Sequence, residues 1–93
     1  MMGWKYVVIT NKLADYPIIF PDKLVHIEVA TVCRLIVPTI DKIEPMPVSA
    51  GDIGYLEVEG IGGWSSTLQM NSRPIDERLI NTYPYLHGIK GAL

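Results

Sequence analysis

Tyr6-Val-Val-Ile-Thr10, a turn, Tyr16-Pro-Ile-Ile-Phe20 and then Pro21-Asp22 form the stretch that decides how this chain is organised. Tyr6, Val7, Val8 and Ile9 make an unbroken apolar run, as expected of a strand covered on both faces. Residues 11 to 15 are polar at both ends and read as a hairpin connection. Pro17, near the start of the second run, predicts an edge or first-residue position, because proline donates nothing to a ladder. Pro21 and Asp22 predict a helix entry, since proline suits the first turn and an acid there meets the positive end of the dipole.

The same order recurs downstream. Tyr55-Leu-Glu-Val-Glu59 alternates like a half-exposed strand, with Leu56 and Val58 on one face. Gly60-Ile-Gly-Gly63 is a turn, and Trp64 to Met70 returns as the partner strand. Ser72 or Arg73 then caps a helix led by Pro74, with Asp76 and Glu77 in its first turn. The expected fold is α+β: two ββα units in a single domain, residues 1–93. Together they would form an antiparallel sheet of about four strands with two helices packed on one face.

The first helix would run to about Arg34 with Val25, Val29, Val32 and Ile36 toward the core. Val25, Ile27, Val29, Thr31 and Cys33 also alternate, and their β-branched side chains suit a strand. The entry signal and the length favour the helix. In the second helix Ile75, Leu79, Ile80 and Tyr83 would line the buried side, and Pro84 would end it. Between the units, Pro38, Pro45 and Pro47 predict an extended, stiff connection. A strand interrupted by glycine follows from Val48 to Gly54.

Of the 93 residues, 48% are hydrophobic and only 19% are charged, so the chain is a core-forming sequence and not a disordered one. So few charges leave apolar surface to be covered by another subunit. A homo-oligomer follows, with a two-fold dimer favoured, or else a protein partner. Tyr and Trp bury large areas while keeping a polar handle, which makes Trp64, Tyr55, Tyr85 and Leu86 the candidate interface residues. The net charge is −2 and the eight basic residues are scattered, so there is no basic face for nucleic acid. A single cysteine gives no intrachain disulfide and fits a reducing cytoplasm. No segment approaches the roughly 20 apolar residues of a membrane span, and Met1-Met-Gly-Trp-Lys5 lacks the pattern of a signal peptide.

Candidate chemistry is sparse. The glycines of Gly60-Ile-Gly-Gly-Trp-Ser-Ser66 precede a strand, whereas a phosphate loop needs a helix there, so a turn requiring positive φ is the simpler reading. Glu57 and Glu59 share one strand face, as the outer face of any antiparallel sheet does. His26 and Cys33 lie seven residues apart, nearly on one helix face, but a packed thiol beside a partly exposed histidine accounts for both. His26, His87 and one cysteine do not make a metal-ligand set, and no cofactor motif is present. The best ligand site is Ser72, Arg73 and Asp76. There a guanidinium and helix amides together would hold an anion, in a small-ligand binder or weak enzyme. The simpler alternative is capping plus an Arg73–Glu77 pair one turn apart. On balance the sequence argues for a non-enzymatic interaction or structural module.

Two segments carry a resemblance. Pro17-Ile-Ile-Phe-Pro21 with Leu24-Val-His26 and Val29-Ala30 is one, and Ser66-Thr-Leu68 with Ser72-Arg-Pro74, Asp76 and Leu79-Ile80 is the other. Together they resemble small uncharacterised proteins encoded by bacteriophages and prophages. The resemblance touches about half of the chain, rests on no catalytic motif, and implies a phage or bacterial cytoplasmic setting.

Overall fold

The computed structural model describes residues 4–53 and 63–82. Strands β1 (Trp4–Thr10), β2 (Asp15–Pro21) and β3 (Met46–Ile53) form an antiparallel sheet in the order β2-β1-β3. Helix α1 (His26–Cys33) lies between β2 and β3 in the chain. A short hairpin, β4 (Trp64–Ser65) with β5 (Met70–Asn71), precedes helix α2 (Pro74–Thr82). Among the described residues no helix is long and apolar enough to cross a membrane.

β1 is the central strand, which is why its apolar run is continuous. Tyr6 and Val8 face one side with Ile53 and Ile80, while Val7 and Ile9 face the other with Phe20, Ala30, Val37 and Ala50. Among the described strands β2 lies at the edge of the sheet, one of the two positions Pro17 predicts. The Asn11 amide donates to the Ala14 carbonyl at 3.1 Å, and this sets the ladder's alternation. In that alternation Pro17 and Pro21 occupy positions whose amides would point away from β1, so neither costs a bond of the β1 ladder.

Four expectations change. The two helices pack on opposite faces of the sheet, not on one: Ile80 of α2 joins the Tyr6 side and Ala30 of α1 the Val7 side. A strand with no polar residue between Tyr6 and Ile9 needs a cover on each side, and each helix supplies one. Among the described residues the strands form sheets of three and two, not one of four. The stretch from Trp64 to Met70 is not a single strand, because residues 66–69 turn the chain back and Gln69 has φ +55°. Finally, the connection between α1 and β3 is not simply extended. Ile40 and Ile43 bridge across a tight turn in which Asp41 and Lys42 have φ of 53° and 65°, the pattern of a type I′ turn. Tyr55–Glu59 lies outside the described residues.

Helix α1 is observed where strand-like alternation competed with it, but it starts at His26 and not at Pro21, which ends β2. Its buried residues are His26 and Ala30, while Val32 and Ile36, expected in the core, are exposed. Apolar residues are spread around the segment, so periodicity could not select a face.

Candidate functional site

Helix α2 brings Ser72, Arg73 and Asp76 together at its start. Pro74 occupies the first helical position, where its missing N–H costs nothing. Asp76, two residues on, folds back so that Oδ2 accepts the Arg73 backbone N–H at 2.9 Å, half of a capping box. Oδ1 accepts from Arg73 Nε at 2.9 Å. The Tyr6 hydroxyl, reaching up from the middle of β1, donates to Oδ2 at 2.7 Å. Asp76 is 0% exposed, and these three donors offset the cost of burying its charge.

The network continues outward. Arg73 Nη2 donates to Asp15 Oδ2 at 3.4 Å, and the Thr10 hydroxyl donates to Asp15 Oδ1 at 2.6 Å. One guanidinium therefore ties α2 to the β1–β2 hairpin end, and the anticipated Arg73–Glu77 pairing is replaced by Arg73 with Asp76 and Asp15. Burial, then the hydrogen bond to Asp76, then the Asp76 charge hold the Tyr6 hydroxyl far above its ordinary ionisation range; Ser72 and Arg73 act in the opposite sense but more weakly.

Chemically, this arrangement is a tie. The position where a bound anion would sit, on the Arg73 amide and guanidinium, is occupied by the chain's own carboxylate. Asp76 has no exposed surface from which to take a substrate proton. No family model matches the chain, and no curated protein and no solved structure shows a detectable match to it. Chemistry must therefore be read from the residues alone.

The other candidates separate. His26 is buried and not partly exposed. Its Nε2 donates to the Gly51 carbonyl at 2.9 Å and its ring meets the edge of Phe20, so it is not paired with Cys33. Burial pushes the half-buried Cys33 thiol up, away from reactivity. Among the described residues no cluster of three or more His, Cys, Asp or Glu side chains could hold a metal ion. Gly63 has φ +101°, as the turn reading requires. Trp64 is 52% exposed; Tyr55, Tyr85 and Leu86, with Glu57, Glu59 and His87, lie outside the described residues.

The partnership of Tyr6 and the burial of Asp76 escaped the sequence reading, although Asp76 itself was a candidate. A buried tyrosine hydroxyl needs a partner, and Tyr6 was read only as apolar. Asp76 stands one turn before Ile80 on the same helix face, a spacing that places the acid on the buried side.

The exposed surface has a distinct feature at the end of α1. Val32, Leu35 and Ile36 are 63%, 85% and 75% exposed, and Leu35 and Ile36 flank a groove of about 510 Å³. Arg34, Pro38, Glu44 and Pro45 are among the other residues of its walls.

Proposed function

We propose that this protein is a non-enzymatic interaction module that works by self-association, with a dimer as the closed form. The observation that carries the reading is the exposed aliphatic surface at the end of α1, in a chain with only 19% charged residues to solvate its exterior. Single exposed apolar residues are ordinary, but three within five positions beside a groove are not. The half-exposed Trp64 offers a second apolar area on the β4–β5 hairpin. The resemblance to small phage-encoded proteins fits a structural module of a phage or bacterial cytoplasm and names no partner.

An anion-binding role at Ser72, Arg73 and Asp76 has less support, because Asp76 already takes the donors such a ligand would use. Native mass spectrometry of protein purified from cells separates the readings in one spectrum. Self-association predicts a dimer with no retained small molecule. A monomer carrying a stoichiometric anionic compound would reverse the ranking.

A further inference from the structure

Resting on self-association, we infer that the seam between two copies is the face at the end of α1, with Leu35 of each copy seated in the groove of the other. Three observations carry this. First, the face holds both complementary shapes. Leu35, itself a wall of the groove of about 510 Å³, projects from its rim at 85% exposure. A two-fold axis passing between projection and groove fills both grooves with the same residue, as an isologous contact requires.

Second, the rim carries its own counter-charges. Arg34 and Glu44 stand at its edge, 3.2 Å apart and with exposed side chains. The face therefore has one charge of each sign. It has no net field to attract an acidic or basic stranger, and a two-fold axis placed between the pair would exchange partners, Arg34 of one copy meeting Glu44 of the other. Third, the walls are fixed before anything docks. Arg34 Nε donates to the Pro45 carbonyl at 2.7 Å, Asn11 Nδ2 to the Pro38 carbonyl at 3.0 Å, and the Val37 amide to the Cys33 carbonyl at 3.2 Å. A preformed groove loses little entropy on association.

The test uses sedimentation of the full chain and three variants: Leu35→Glu, Arg34→Glu and Glu44→Arg. Leu35→Glu should raise the dimer dissociation constant by at least about tenfold, with melting temperature of the monomer unchanged because Leu35 is exposed. Arg34→Glu and Glu44→Arg should each self-associate poorly, since each sets like charges across the seam. Mixed in equal amounts they should recover a heterodimer, which an effect confined within one chain cannot produce. A wild-type dimer that Leu35→Glu leaves intact overturns this seam while self-association stands. A wild-type monomer removes both. A dilute, monomeric Leu35→Glu sample that melts far below the wild-type monomer would mean that the chain itself covers Leu35, and also overturns the seam.

Discussion

The hydroxyl of Tyr6 and the carboxylate of Asp76, 70 residues apart in the chain, meet at 2.7 Å inside the protein. This contact joins the central strand to α2 and sits beneath the Ile80 side of the core. Asp76→Ala leaves the Tyr6 hydroxyl and the Arg73 guanidinium without their shared partner. A loss of about 3–5 kcal/mol is expected for breaking such a buried charge network. Tyr6→Phe removes one charge-assisted bond and should cost less, about 1.5–3 kcal/mol. Urea unfolding of both variants and of the double variant checks this, and near-additive losses would show that the two groups do not act together.

The same contact predicts weakening in alkali. In the folded chain the Tyr6 hydroxyl keeps its proton well above the ordinary tyrosine range, whereas an unfolded tyrosine ionises near about pH 10. Its contribution is therefore complete below about pH 10 and declines as pH rises beyond that point, because the unfolded state then binds fewer protons. The Cys33 thiol is also raised by burial and adds an earlier, smaller decline. The urea midpoint followed against pH should fall along this course. Tyr6→Phe should flatten the upper part and Cys33→Ser the lower.

Helix α1 depends on a cap supplied from far along the chain. Val25 precedes it and provides no side-chain cap, but the Thr67 hydroxyl accepts the Ile27 amide at 3.2 Å. The β4–β5 turn that carries Thr67 is itself braced by the Ser65 hydroxyl, which accepts the Leu68 amide at 3.2 Å. Thr67→Val should destabilise the protein by about 1 kcal/mol, the usual value of a lost cap. Hydrogen exchange should show the Ile27 amide losing protection first. Unchanged exchange there would mean that the cap is not felt.

Two turn positions should respond in opposite directions. Lys42 holds φ +65° in the turn between Ile40 and Ile43, where glycine carries no side-chain strain. Lys42→Gly is expected to stabilise by about 0.5–1 kcal/mol, the relief of left-handed strain exceeding the added freedom of the unfolded chain. Gly63 has φ +101°, and a Cβ there would lie 2.9 Å from Asp52 Oδ2. Gly63→Ala should destabilise by about 1–3 kcal/mol. Thermal melts of both variants read the signs directly.

What the sequence disclosed follows the strength of local physics. Residues Tyr6 to Ile9 form the strand covered on both sides that their apolar run predicts, and Pro17 stands in the outermost of the three described strands on its side. Pro74 with Asp76 and Glu77 marked a helix start that the structure places at Pro74. Long-range contacts were illegible. Nothing near His26 announces that its partner is the Gly51 carbonyl, and nothing near Ile27 announces Thr67. In α1, with Ile27, Val29 and Val32 spread around the helix, apolar periodicity held no direction. Ala30 packs against the sheet, while Val32, and Ile36 beyond the helix, are exposed. At the candidate ligand site the residue types were legible, but the burial of Asp76 was not. That burial turns a binding motif into an internal tie.

Sedimentation equilibrium of the unmodified protein across a concentration series tests self-association most directly. Conversion from the 10.4 kDa chain mass to twice that value is the predicted result. A single species at the chain mass up to high micromolar concentration would contradict it.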